Sequence, residues 1–191
     1  MRALLGAAAI VVFAVIVAAA TASTPRPSQR SIRIVIDGRS IARRFPRGPS
    51  ISFRYPANWH VTTRRLDNVT DPHTLFAAST YQVPSRTLDN CDGTRASGRP
   101  RDGAFALMKE VLDGASLRRS LPRLPSRPRQ FRLPTRGRAG CLPPASVQYQ
   151  FRVGKRAFYI WISIGPRASA ATRQALARLL DRMWIARYAT S

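Results

Sequence analysis

Acidic residues are scarce in this chain. Only 9 of its 191 residues are Asp or Glu and 32 are Lys or Arg, which gives a formal net charge of +23. Glu110 is the only glutamate, so a hydrolase that uses two carboxylates would have to draw on scattered aspartates. The excess of positive charge favours association with anionic surfaces but carries no information about the fold.

Histidine is equally rare, and the residues that usually carry chemistry form no motif. His60 and His73 have no spacing that ties them to a serine or cysteine nucleophile, and no G-x-S-x-G elbow is present. No glycine-rich phosphate loop is found either. We therefore predict no catalytic residue, no metal site and no cofactor, and expect a protein that is not an enzyme. A hydrolase whose site is assembled from distant loops is the less favoured alternative.

The N-terminal segment is apolar and nearly free of charge. After Arg2, an uncharged run covers residues 3–20, and Ala20-Thr21-Ala22 matches a cleavage site of the A-x-A type. The sequence predicts a signal peptide or membrane anchor at 1–22, a linker at 23–31 and a single domain at 32–188. We expect an extracytoplasmic protein, secreted or anchored to the cell membrane by this segment. If the segment is not cleaved, the basic residues that follow it favour a domain facing the cytoplasm.

Only two cysteines occur, and both lie among turn-forming residues. Cys91 is within "LDNCDG" and Cys141 within "GRAGCLPP". A metal site would need closer spacing and more ligands. In an oxidising compartment the pair is expected to form a disulfide; the alternative is two unrelated buried thiols.

Hydrophobic periodicity predicts a protein of the α+β class. Alternation of apolar and polar residues indicates a strand in "SIRIVIDG", two strands joined by a tight turn in "SISFRYPANWHVTT", and a hairpin in "ASVQYQFRVGKRAFYIWISIG" that turns at Gly154-Lys155. "TLFAASTYQV" and "GAFALMKEVL" are also predicted as strands; the second of these fits a short helix as well, and context favours the strand. "SAATRQALARLLDRMW" has a Ser N-cap and places leucines on one face, which is typical of an amphipathic helix. The predicted fold is a single antiparallel β-sheet with this C-terminal helix packed on one face.

One aromatic segment resembles a known family. Phe53, Tyr55, Pro56 and Trp59, followed by Val61, are similar to the "F-x-Y-P-x-x-W-x-V" opening of PsbP-like proteins. That α/β/α sandwich is shared by an extrinsic photosystem II subunit and the Mog-type Ran regulators. The resemblance also covers small exported bacterial proteins without an assigned activity. It implies a binding or assembly factor and transfers no functional residue, because the matched positions pack the core.

A second segment is rich in arginine and proline. Ser116 to Cys141 reads "SLRRSLPRLPSRPRQFRLPTRGRAGC", with prolines at every third position from 122 to 128, a spacing that favours an extended polyproline arm. The candidate anion-binding residues are Arg118, Arg119, Arg123, Arg127 and Arg129. A solvated loop is the favoured alternative, and the alternation of Phe131 with Leu133 predicts a short strand at 130–133.

Together these features predict a non-enzymatic binding or assembly domain with an unknown protein partner. The alternative is an electrostatic binder of polyanions, such as an anionic membrane or wall polymer. Nucleic acid would be a partner only if the domain faced the cytoplasm.

Overall fold

The computed structural model describes residues 28–35, 50–66, 69–83, 99–112, 119, 121–139 and 142–186. The predicted leader at 1–22, most of the predicted linker, Cys91, Cys141 and Arg118 lie outside these residues.

The described part of the chain contains eight strands, one α-helix and a short 3-10 turn. In chain order they are β1 (Gln29–Val35), β2 (Ser50–Pro56), β3 (His60–Thr62), β4 (His73–Ser79), β5 (Ala104–Val111), the 3-10 turn (Leu121–Arg123), β6 (Ser146–Val153), β7 (Arg156–Ile164), α1 (Ala170–Asp181) and β8 (Trp184–Ile185). β1 begins at Gln29, within the segment that the sequence predicts as a linker.

The strands form two antiparallel sheets. One has three strands in the order β1-β2-β8, and the other has five in the order β3-β4-β5-β7-β6. The prediction of a single sheet is therefore wrong, and the described part of the chain is mostly β with one helix. Alternation along a strand shows which side chains are buried, but it does not show which strand is the neighbour.

The aromatic segment is the place where the chain passes from one sheet to the other. β2 and β3 are separated by three residues, a length typical of a hairpin, yet β2 pairs with β1 and β8 while β3 pairs with β4. Pro56 ends β2, and the N–H of Trp59 donates to the Pro56 carbonyl at 3.0 Å, which closes a tight turn. Phe53 and Trp59 are both buried, so the two strands cover one core from different sheets.

The C-terminal half of the larger sheet follows the sequence closely. The turn at Gly154-Lys155 joins β6 to β7, with Val153 opposite Arg156, and Gly154 has the positive φ of 59° that such a turn favours. β5 and β7 lie inside the sheet and are largely buried, as expected of strands that are apolar on both faces.

The helix packs on the same side of the larger sheet as the smaller sheet does. Ser169 is the N-cap, and its side chain accepts a 3.0 Å bond from the Thr172 N–H. Leu176, Leu179 and Leu180 are buried. Burial of each such side chain stabilises the fold by about 1.5–3 kcal/mol.

The segment after the 3-10 turn docks on β6 instead of forming the predicted strand. Ser126 makes a parallel bridge with Arg152, whereas no strand covers residues 130–133, so that prediction is wrong. Phe131 packs edge-on against Tyr149 and Phe151, with ring centroids 5.3 and 5.8 Å away. Its hydrophobicity therefore reflects packing on the face of the sheet and not pairing at its edge.

No helix in the described ranges is long and apolar enough to cross a membrane.

Candidate anion-binding groove

A groove of about 1270 Å³ runs between the three-stranded sheet and α1. The sheet contributes residues from all three of its strands. The register sets Ser52 of β2 opposite Arg33 of β1 and opposite Trp184 of β8. Arg54 is opposite Ser31 and follows Ser52 at a spacing of two. Residues with these relations share one face of a sheet, so two arginines and a tryptophan lie on the same face, with Ser52 between Arg33 and Trp184.

The helix contributes a second row of polar side chains. Gln174, Arg178 and Arg182 are exposed, line the groove and follow one another at intervals of four residues. Residues at this spacing are neighbours on one side of a helix. Both the sheet and the helix therefore contribute arginines to the lining, and the almost fully buried Phe53 and Leu179 lie at its base.

None of the described residues that line the groove is acidic. Of the four described carboxylates, three are engaged elsewhere: Asp71 accepts from the Leu112 N–H, Glu110 pairs with Arg156, and Asp181 accepts from the backbone at residue 131. The fourth, Asp102, is exposed and does not line the groove. The positive charge of the groove is thus not neutralised by carboxylates of its own lining. Such a cleft concentrates field lines and attracts anions.

Trp184 is the exposed large hydrophobic side chain of the described part of the chain, with 55% of its surface accessible. The next residue, Ile185, is buried and closes the core beneath it. Strand alternation therefore explains why one residue faces the core and its neighbour faces the groove. An exposed tryptophan beside arginines offers an apolar, polarisable face to a ligand.

The candidate arginines of the arginine-proline segment lie outside this groove. Arg119, Arg123 and Arg129 are exposed, and they remain candidates for contact with anions. Arg127 is half-buried, and its Nη2 donates to the carbonyl oxygens of Leu180 at 2.5 Å and of residue 181 at 3.0 Å. This guanidinium is occupied by the end of α1, so we leave it out of the anion-binding surface.

Burial has a measurable consequence for Arg127. Desolvation lowers the pKa of its guanidinium, and the nearby Asp181 carboxylate opposes that shift. The guanidinium also lies 5.6 Å from the centroid of the Phe131 ring. The arginine thus ties the arginine-proline segment to the helix end, where cations offset the partial negative charge of the last carbonyls.

The amino-acid sequence alone did not predict the residues that line the groove. The pattern "SFRYP" does signal that Arg54 points away from the side on which Phe53 is buried, because the two are adjacent on a strand. Nothing local brings Trp184 to the side of Ser52, because that pairing joins residues far apart in the chain.

The two histidines, which could support catalysis, lie far apart. His60 is exposed and stands opposite Ser79, at the end of β4 remote from His73. Six residues of extended strand separate the two positions by roughly 20 Å. Among the described residues, no group of three or more His, Cys, Asp or Glu could hold a metal ion.

The aromatic segment packs the core, and two of its residues, Phe53 and Pro56, also line the groove. The rings of Phe53 and Phe76 have centroids 4.4 Å apart, and Pro56 and Trp59 are buried while Tyr55 is half-buried.

No family model, no curated protein and no solved structure matches this chain, so the resemblance to PsbP-like proteins stays a prediction.

Proposed function

We propose that this protein is a binding domain without catalytic machinery of its own, and that its groove takes a linear polyanion. The observation that carries this proposal is the lining of the groove, which combines Arg33, Arg54, Arg178 and Arg182 with the exposed Trp184 and includes no carboxylate from the described part of the chain. The location that we propose is extracytoplasmic, secreted or membrane-anchored, as the N-terminal sequence predicts.

Folding alone gives no reason for arginines on the sheet wall. Arg178 lies in the last turn of α1, where a cation stabilises the helix end. Arg33 and Arg54 have no such role, since they are exposed on neighbouring strands and their guanidinium groups make no hydrogen bond or ion pair within the described part of the chain. Cations gathered at diagonal positions repel one another unless an anion lies between them.

A chain-like ligand fits better than a single small anion. The arginines are spread along a groove whose lining extends over two strands and much of the helix. A linear polymer with repeated negative charges can contact both walls along this length, and Trp184 offers a face for any planar or apolar part of it. A flat bilayer would reach the rim of the groove but not its floor.

A protein with an acidic surface is the second candidate partner, which agrees with the prediction of an assembly role. The hydrolase alternative gains no support from the positions of His60 and His73, which stand at opposite ends of β4.

The experiment measures binding of a short oligothymidylate, used as a defined phosphodiester probe, at several salt concentrations. For a flexible chain the logarithm of affinity falls by about 0.7 per phosphate neutralised for each unit of log salt, so four arginines predict a slope near −3. Between about 50 and 200 mM salt, affinity should fall about 50-fold. In the double variant Arg54→Gln/Arg178→Gln, which keeps two of the four arginines, affinity should fall only about 7-fold over the same salt range.

The matched control is Arg64→Gln/Arg65→Gln, which removes the same charge from two exposed residues outside the groove. This variant should keep the parent slope. If the control and the groove variant change the slope equally, binding is a property of the whole cationic surface and the proposal fails. Vesicles containing phosphatidylglycerol provide a parallel test, and a loss of vesicle binding without loss of oligonucleotide binding would assign the groove to membranes instead.

A further inference from the structure

The outer edge of β6 has a regular pattern of backbone groups. β6 is an edge strand of the larger sheet, and the two-residue turn makes Val153 and Arg156 a hydrogen-bonded pair. Odd-numbered residues of β6 therefore bond to β7, and even-numbered residues direct their N–H and C=O groups outward. Two backbone bonds agree with this pattern: the Arg152 N–H donates to the carbonyl of residue 125 at 2.8 Å, and the Ser146 N–H donates to the carbonyl of residue 137 at 3.3 Å.

Between these two bonded ends lie Gln148 and Gln150. Within the described part of the chain, neither residue has a backbone partner on its outward side. Gln150 is exposed and Gln148 is half-exposed. Unpaired N–H and C=O groups in a row are a template for pairing with another extended chain.

The space beside this edge is a cavity of about 640 Å³. Its lining includes Arg132, Arg136 and Arg138 together with Gln148 and Tyr149, and none of its described lining residues is acidic. A backbone partner at this edge would thus meet positive side chains on one flank.

The chain itself already pairs with this edge in the way that a partner would. Residues 125–127 run parallel to β6, and the Arg127 N–H donates to the Arg152 carbonyl at 3.1 Å. This bridge covers one end of the strand and stops short of Gln150. The net charge of +23 disfavours a second copy of the protein at the remaining positions, because two such molecules repel each other.

We propose that the edge of β6 at Gln148 and Gln150 binds an extended, acidic peptide segment of another protein. Main-chain bonds to the edge give the affinity, and the three arginines select acidic side chains, as in other cases of strand addition. An extended segment would form about four bonds with the two glutamines in either orientation, because each glutamine offers one N–H and one C=O on its outward side. This site is separate from the groove, which lies on the other sheet.

The test uses the full chain in a mild non-ionic detergent and a fluorescein-labelled peptide of alternating glutamate and valine. Fluorescence anisotropy gives its affinity at low salt. The control peptide has the same sequence with every backbone nitrogen methylated, so that its charge is kept and its N–H donors are lost. We expect the methylated peptide to bind more than about tenfold more weakly, since several hydrogen bonds are removed.

Gln150→Pro removes the outward N–H without breaking a bond to β7, and proline is tolerated at such edge positions. Gln150→Thr is its matched control, because it keeps the N–H. Affinity should fall about tenfold in the first and by less than about twofold in the second. Arg136→Gln/Arg138→Gln should also weaken binding, whereas the groove variant Arg54→Gln/Arg178→Gln should bind the peptide like the parent.

Amide hydrogen exchange on the unmodified protein gives an answer even if a variant fails to fold. Added peptide should slow exchange at Gln148 and Gln150, whose N–H groups are outward, and leave Trp184 unaffected. Equal binding of the methylated peptide, or protection confined to groove residues, would overturn the proposal. So would a dimer that is lost in Gln150→Pro, since the edge would then belong to a second copy.

Discussion

The substitution Glu110→Gln should strongly destabilise the fold. The Glu110 side chain lies on β5 and is 1% exposed, and Arg156 on β7 is fully buried. The guanidinium donates from Nε to Oε1 at 2.6 Å and from Nη2 to Oε2 at 2.7 Å, and its Nη1 donates to the Ala186 carbonyl at 2.8 Å. The pair thus connects the centre of the larger sheet to the chain just after β8.

Glutamine has nearly the same shape as glutamate but leaves the charge of Arg156 without its carboxylate. Removing one member of a buried ion pair typically costs about 3–5 kcal/mol, because the remaining charge stays desolvated. Domains of this kind have about 5–15 kcal/mol of total stability, so about a fifth or more of it would be lost. The midpoint of urea unfolding should fall by about 2 M if unfolding has a slope near 2 kcal/mol/M.

The assay is equilibrium urea unfolding followed by tryptophan fluorescence. Asp102→Asn is the matched control, because it removes the same charge from an exposed residue and should change stability by less than about 0.5 kcal/mol. The double variant Glu110→Leu/Arg156→Met should recover much of the loss, since an apolar pair of similar volume is often as stable as a buried ion pair. A loss below about 1 kcal/mol for Glu110→Gln would refute the reasoning, because the charge of Arg156 would then have found other compensation.

Two further predictions follow from other buried groups. Arg127→Met should lower stability by about 1–3 kcal/mol, because the last carbonyls of α1 lose their donor. Thermal unfolding measures this loss. The control is Arg129→Gln, a substitution of a nearby exposed arginine, which should have no effect beyond that of its charge. Burial raises the pKa of Tyr81 from 10.0 to about 12, and the positive charge of Arg99 partly opposes this rise. The folded protein therefore holds the phenolic proton more tightly than the unfolded chain does, and its contribution to stability should be lost as pH rises from about 10 to 12. Absorbance titration should show one late-ionising tyrosine that Tyr81→Phe removes, and an unchanged titration curve would contradict the assignment.

The elements that could be predicted are those whose signals are local. The hairpin of β6 and β7 follows from alternation on both sides of Gly154-Lys155, and α1 follows from Ser169 and the leucines three and four residues apart. β5 was predicted as a strand on context, although "GAFALMKEVL" also fits a short helix. Each of these decisions depends on neighbours within a few residues.

The division into two sheets could not be predicted in the same way. A gap of three residues between β2 and β3 suggests a hairpin, but burial of Phe53 and Trp59 in one core places the two strands in different sheets. The helix end depends likewise on a distant residue, because Arg127 reaches it from a segment that is 53 residues away in sequence from Leu180. The local sequence patterns of loops and strands do not identify contact partners that are this distant in the chain.

The sequence by itself determined the excess of positive charge, the alternation of the main strands and the amphipathic helix, because these are properties of composition and short-range periodicity. Only the tertiary structure decided that Trp184 stands in a row with Arg33, and that Glu110 receives Arg156 from 46 residues away. Those contacts join strands that are distant in the chain. Which strands become neighbours is set by how all the apolar faces are buried together, and that is a property of the whole fold.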